Sequence, residues 1–345
     1  MGIRHARPEK RTLLGTSGRG FLELYTSPLG DVPVLHVAGS PEEMGYQYGA
    51  LAGDKIKRNL RRMTALFTEA GLPEPLVNVM LDTAWKRLEA HTPERFLREM
   101  KAIAEGASAA GHALTAEDVY RITTVTNFDL YKREERIFEF LGEDGAAMLE
   151  QMQLPPAMSC TFFAVWGSRT VDGKLLASRD LDWVSQTGMH EDRLVTVHRP
   201  EGRNAFVTLG YAGVIGGLAG MNDTGLAFSE IGAFSVREEL DGTPWTLIVR
   251  RIMEEAGTLE EGAALLQQAK HTLGYNFMLA DGDPAHAGTV SFRPRAAVFE
   301  TNFECCETFY EDDPKEHEAH WTDPQGTVIS YGLPLKEGAA RGDMA

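Results

Sequence analysis

The chain has 345 residues, 43% hydrophobic and 24% charged, with a net charge of −16. That composition is globular, and the length buries a sizeable core without staples. The acidic balance argues against nucleic acid as a main partner, because neutralising phosphates needs a basic surface.

The start, "MGIRHARPEKRTLLG", has charge but no apolar centre, so no signal peptide is expected. From Ser40 to Phe128 the pattern is helical. "SPEEMGYQYG" places Ser40 as N-cap, Pro41 at the first helical position and Glu43 three residues after the cap, a capping box. The apolar period runs to Phe67, with Gly71 as the stop. Along this helix "DKIKRNLRRM" puts Ile56, Leu60, Met63 and Phe67 on one face, and its basic residues read as a solvated face. Leu76 to Leu88 makes a second helix, Thr92-Pro93 starts a third and Thr115 a fourth. "QLPPAM" then breaks any helix, because its two prolines cannot donate hydrogen bonds.

After position 160 the period becomes two. "CTFFAVWGSRT", "KLLASRDLDW", "RLVTVHRP", "AFVTLGY" and "GLAFSEIGAF" read as consecutive strands with turns such as "VDGK" and "NDTG" between them. Two helices follow, one opened by Thr243-Pro244 and one by the capping box "TLEE" at Thr258. Strands return with "YNFMLADGD", "AGTVSF", "AAVFETN" and "GTVISYG". Strands, two helices and strands again predict two packed, mainly antiparallel sheets covered by helices. The acidic run from Glu300 to Asp323 reads as a solvated surface loop. No uninterrupted apolar stretch approaches membrane-spanning length, so no membrane partner is expected.

Three cysteines, two of them the adjacent Cys305 and Cys306, are not a disulfide framework and fit a reducing, cytoplasmic setting. Cys160 stands apart. It begins a strand, and the "VDGK" turn returns the chain so that Arg179 and Asp182 come back beside it. A thiol near pKa 8.5 is mostly protonated at neutral pH, and a nearby arginine favours the thiolate. A nucleophile also needs a base. The α-amine of a chain that began at Cys160, with a pKa near 7.7–8.0, would suit, and Asp182 would orient it. Asn276, on another strand, is a candidate donor to an oxyanion. Alternation puts Cys160, Phe162 and Ala164 on one strand face, so Phe162 and, further on, Trp183 make the nucleophile's surroundings aromatic.

The stretch "CTFFAVWG…DGKLLASRDLDW" resembles the start of the mature chain in N-terminal-nucleophile hydrolases. "GSPEEMGYQYG", "AGVIGGLAGMNDTGLAFSE" and "YNFMLADGD" resemble segments of the acyl-coenzyme A:6-aminopenicillanic acid acyltransferase family, with choloylglycine hydrolases and acid ceramidases as more distant cousins. The resemblance spans roughly residues 35 to 333. It implies an α+β, four-layer αββα fold and self-cleavage between Ser159 and Cys160. Residues 1–159 would then become a smaller, mainly helical chain and 160–345 the catalytic core, together one globular unit. It also implies Cys160 as nucleophile, Asp182 as the family's aspartate and Arg179 as the arginine of the ceramidase branch, with Ser229 and Glu230 as pocket residues. The second oxyanion asparagine of the choloylglycine hydrolases would fall near Gly232 and is not carried over.

The expected activity is attack by Cys160 on a non-peptide amide of a small-molecule amide or acyl-thioester substrate, through an acyl-enzyme, with no metal or organic cofactor. The apolar surroundings and the net charge favour neutral amides with a medium aliphatic or arylacetyl acyl group over anionic substrates. Other readings are a non-catalytic binding protein on the same fold and a peptidase-like hydrolase. His317 and His320 lack a third partner at ligand spacing, so they read as acidic surface rather than as a metal site. The "GYAGVIGGLAG" glycines lack the order of a dinucleotide loop. Oligomeric state is open.

Overall fold

The computed structural model describes residues 10–69, 71–127, 160–181, 187–233, 235, 237–282, 295–310 and 339–343. Three strands come first: β1 (Lys10–Ser17), β2 (Gly20–Ser27) and β3 (Gly30–Gly39). Helices α1 (Pro41–Glu69), α2 (Glu74–Glu89), α3 (Glu94–Ala109) and α4 (Ala116–Val125) follow. The capping box at α1 forms as expected: Glu43 N–H donates to Ser40 Oγ at 3.2 Å, and Ser40 N–H donates to Glu43 Oε2 at 2.8 Å. Thr115 and Asp118 make the same reciprocal pair at α4.

Beyond position 160 come β4 (Cys160–Gly167), β5 (Gly173–Leu181), β6 (Arg193–Pro200), β7 (Phe206–Tyr211), β8 (Ala219–Asn222) and β9 (Leu226–Gly232). Then come α5 (Trp245–Glu255), α6 (Leu259–Gln268), β10 (Tyr275–Asp281), β11 (Arg295–Thr301), β12 (Cys306–Tyr310) and β13 (Ala339–Asp343). Among the described residues ten strands form one sheet in the order β1-β2-β3-β6-β7-β8-β9-β10-β11-β12. The other three form a small sheet, β13-β4-β5. Among the described residues every pairing is antiparallel except β3 with β6, which is parallel. That one junction joins the strands before Cys160 to those after it in a single sheet.

The expected α+β arrangement of two stacked, mainly antiparallel sheets is present. Among the described residues the layers are helices, large sheet and small sheet. Helices α1–α4 bury a core with Leu35, Val37 and Leu194 of the large sheet. Helices α5 and α6 pack on Phe228, Phe277, Leu279 and Phe299. The opposite face of β9–β11 offers Ile231, Met278, Ala280, Ala296 and Val298 to Cys160, Phe162, Ala164 and Trp166 of the small sheet. Strand alternation explains the division, since successive residues of β10 serve different cores. Helices α1 and α3 meet through glycine. A Cβ at Gly49 would lie 1.8 Å from Ile103 O, and one at Gly106 would lie 2.0 Å from Tyr46 O, so a side chain at either position would push the helices apart.

Two features of the organisation were not read from the sequence. Strands β1–β3 precede the helices and extend the large sheet. The acidic run beginning at Glu300 is not loop at its start. Residues Cys306–Tyr310 pair with β11, and Phe309 packs into the inter-sheet core while Cys306 and Tyr310 pack on the helix-side core. Apolar residues at alternate positions hold this piece to the sheet despite its charge. The strands expected at "AGTVSF" and "GTVISYG", and His317 and His320, lie outside the described residues.

Candidate active site

Strands β4 and β5 pair as the hairpin predicts, with Cys160 opposite Leu181 and Phe162 opposite Arg179. Directly paired residues share a face. The Cys160 and Arg179 side chains therefore point the same way, inward, while Thr161 and Phe163 are exposed on the outer face. Cys160 is buried, with 9% of its surface exposed. Arg179 Nη2 lies 3.9 Å from Cys160 Sγ.

Arg179 is held by the large sheet. Its Nε donates to the Glu230 carbonyl oxygen at 2.9 Å, and its Nη2 lies 3.3 Å from Glu230 Oε2. Both partners are buried. Glu230 is thus a buried ion-pair partner of Arg179, and this bidentate grip leaves one face of the guanidinium turned to the thiol. A positive charge there favours the thiolate, the nucleophilic form.

Asn276 lies on β10 opposite Ile231 of β9. Ile231 packs in the same core as Cys160. Asn276 is only 8% exposed, yet its amide makes no side-chain hydrogen bond to any described residue. Its amide is not among the sealed, partnerless polar atoms of the core, so it is open to an incoming group and can donate to an oxygen that becomes negative.

A groove of about 880 Å³ opens beside Arg179, between β5 and the exposed face of β7–β9. Leu175, Ala177 and Leu181 form one wall, and Val207, Leu209, Ala219, Met221 and Ala227 form the floor. Leu209 and Met221 are about half exposed, which is unusual for large apolar side chains on a sheet. Ser229 also lines the groove. Tyr211 stands at the Arg179 end, where burial and the nearby cysteine push its phenol above its usual pKa while Arg179 pulls it down.

Phe162 does not line this groove. It is fully buried between the sheets, because it is the first inward residue after Cys160 and meets the face of β9–β11. Ser159, Asp182 and Trp183 lie outside the described residues. Sequence reading missed Tyr211 and the groove floor. The available signal was "AFVTLGY", whose alternation sets Val207, Leu209 and Tyr211 on one face. Among the described residues no group of three or more His, Cys, Asp or Glu could hold a metal. No helix among them is long and apolar enough to cross a membrane.

Residues 169–307 match the model of the acyl-coenzyme A:6-aminopenicillanic acid acyl-transferase family. The resemblance to that family holds. The match to the acyltransferase family covers β5 to β11, and so includes Arg179, Ser229, Glu230 and Asn276. The chain is also 24% identical to an uncharacterised protein of Archaeoglobus fulgidus, over 81% of this chain and 46% of that protein. It is 22% identical to protein dcd1B of Dictyostelium discoideum, over 72% of this chain and 48% of that protein. The chain therefore spans about half the length of the curated relatives it matches. Among solved structures, an N-acylethanolamine-hydrolyzing acid amidase orthologue of Caenorhabditis elegans aligns at 14% identity, over 44% of this chain and 64% of that one, with a TM-score of 0.36. Penicillin V acylase of Agrobacterium tumefaciens aligns at 15% identity, over 44% of this chain and 49% of that one, with a TM-score of 0.29.

Proposed function

We propose that the protein is a self-processing cysteine amidohydrolase or acyltransferase that carries an acyl group on Cys160. The observation that carries this reading is the Arg179 guanidinium, locked by Glu230 and turned to Cys160 Sγ at 3.9 Å, at the end of an apolar groove. In the self-processing step, the Cys160 thiol attacks the carbonyl carbon of Ser159. The peptide C–N bond breaks as the C–S bond forms, which frees the α-amine of Cys160, and water then hydrolyses the thioester, releasing the Ser159 carboxylate and the Cys160 thiol. Residues 1–159 and 160–345 would remain interleaved, because β3 and β6 pair within one sheet.

In turnover, the freed amine takes the thiol proton, with Asp182 as its partner. Sulfur attacks the substrate amide carbon, and the carbonyl oxygen gains negative charge within reach of the Asn276 amide. The leaving nitrogen takes the proton and departs as the C–N bond breaks. Water or a second amine then attacks the thioester and returns the thiol. The acyl group would lie in the groove, gaining about 0.8 kcal/mol for each buried methylene. Ser229 would touch it there, and Trp183 remains a pocket candidate.

Two measurements test this. Intact mass spectrometry of the purified protein is expected to show two fragments meeting at Ser159/Cys160, and Cys160→Ala is expected to give one uncut chain. On chromogenic amides of graded acyl length, the processed protein is expected to hydrolyse octanoyl or phenylacetyl amides faster than acetyl ones. Normal cleavage in Cys160→Ala removes Cys160 from the reaction, and equal rates across acyl lengths remove the groove.

A further inference from the structure

Across the large sheet, four residues stand in one row on the face that meets the small sheet. Ile231 pairs with Asn276, Asn276 with Glu300, and Glu300 with Glu307. Paired side chains on one face have Cβ atoms about 4.5–5.5 Å apart. Glu300 therefore neighbours the unpartnered, nine-tenths buried amide of Asn276.

Two carboxylates directly opposite each other destabilise a sheet. Here the pairing is Glu300 with Glu307, and no cation among the described residues pairs with Glu300. Partial burial and the facing Glu307 hold the Glu300 carboxyl above its usual pKa. The nearest basic residue on its own strand, Arg295, is engaged with Glu260 at the other end of β11. A cost of this kind, beside an unused buried amide, has a use if something positive arrives from outside.

The position says what. The apolar groove lies on the β7–β9 side of Cys160, and the acidic pair lies on the β11–β12 side, with Asn276 between them. An amide whose carbonyl meets Cys160 and Asn276 has two ends. With its acyl chain in the groove, its amine part points toward Glu300. We propose that the amine part of the substrate carries a positive charge bound by Glu300, so that the substrate class is an N-acylated diamine or other acyl amide with a cationic amine arm. This inference rests on the proposed function. It replaces the neutral amine expected from sequence with a charged one and leaves the acyl side unchanged. The net charge of −16 favours capture of a cation from a distance.

The test uses two amides with one acyl group, N-octanoyl-1,3-diaminopropane, which is cationic at pH 7, and N-octanoyl-propylamine, which is neutral. Glu300 is only partly buried and still reaches solvent, so the charge pair is worth a few-fold rather than orders of magnitude. The wild-type protein is expected to show a KM about fivefold lower for the cationic amide with similar kcat, and the ratio is expected to approach 1 in Glu300→Gln and at high salt. Glu300→Asp is expected to restore part of it. Equal KM values in the wild type overturn the inference and leave the proposed function standing. If neither amide is hydrolysed, the proposed function fails separately, and calorimetric titration of the same two compounds decides the inference. Tighter binding of the cationic compound, lost in Glu300→Gln, upholds it, and equal binding overturns it.

Discussion

Two buried arginines hold the two faces of the large sheet, and they differ in what they leave unused. Arg250 lies on the helix side, fully buried. Its Nη1 and Nη2 donate to the two Glu99 carboxylate oxygens at 2.8 and 2.6 Å, its Nε donates to Glu254 Oε1 at 3.0 Å, and Nη1 also meets the Ile215 carbonyl oxygen. The rings of Phe96 and Phe206 close over it. Arg179 lies on the small-sheet side and also grips a glutamate, but it turns toward a thiol and a groove. Both are arginine–carboxylate pairs in low-dielectric surroundings. The first is saturated and sealed. The second faces the Cys160 thiol, with an amide nearby that has no partner among the described residues. An opening beside the pair, rather than burial or charge, marks the candidate site.

The comparison breaks most sharply at Arg250. It joins α3, before Cys160, to α5, after it. Replacing it by methionine leaves Glu99 buried without its cation, while Glu254 keeps Arg95 at 3.1 Å. Breaking a buried pair in this way costs about 3–5 kcal/mol. Arg250→Met is therefore expected to lose stability on that scale in urea unfolding. A loss below about 1 kcal/mol would show that the cluster is not the structural one.

Arg179 sharpens the other half. Arg179→Gln removes the charge facing the thiol, and kcat/KM is expected to fall about 10²-fold, the scale of losing one electrostatic contact in a site. The acidic limb of the pH–rate profile is expected to move to higher pH, because the thiolate loses its cation. Arg179→Lys keeps the charge and is expected to recover part of the rate and the original limb. A profile unmoved in Arg179→Gln would make Arg179 a packing residue only.

This contrast was half legible in the sequence. The hairpin register, and so the meeting of Arg179 with Cys160, follows from local turn chemistry and alternation between residues 160 and 181. N-cap residues Ser40, Thr115 and Thr258 mark three helix starts, because a cap is a short-range pattern, although at Thr258 the expected reciprocal bond goes instead from Gly257 N–H to the Glu261 carboxylate. The Arg250 cluster joins side chains 151 residues apart, and no local pattern carries such a pairing. The missed strands have physical reasons too. Strand β1 is an edge strand whose burial is weak throughout, β8 has four residues, and β12 is hidden in a charged run. The groove floor is assembled from strands whose apolar residues read only as core, since alternation does not say which face stays uncovered.

The smallest expected effect concerns a histidine on the sealed face. His198 is fully buried on β6, stacked on Phe206 at 4.3 Å, with Nε2 3.3 Å from Thr208 Oγ1. Its Nδ1 has no partner among the described residues. Burial first, and Arg250 second, hold its pKa well below 6.5. The folded state therefore keeps the imidazole neutral while the unfolded chain takes up a proton. The contribution is complete above about pH 6.5 and is lost as pH falls toward the folded value, at about 1.4 kcal/mol per pH unit. His198→Gln removes the titration and keeps a polar side chain near Thr208. Between pH 7 and pH 5, the stability of the wild type relative to His198→Gln is expected to decline below pH 6.5 with that slope, read from urea midpoints at each pH. A difference that stays flat would mean that the imidazole protonates freely in the fold, so that water reaches the helix-side cluster. The two arginine clusters would then differ less in sealing than their geometry indicates.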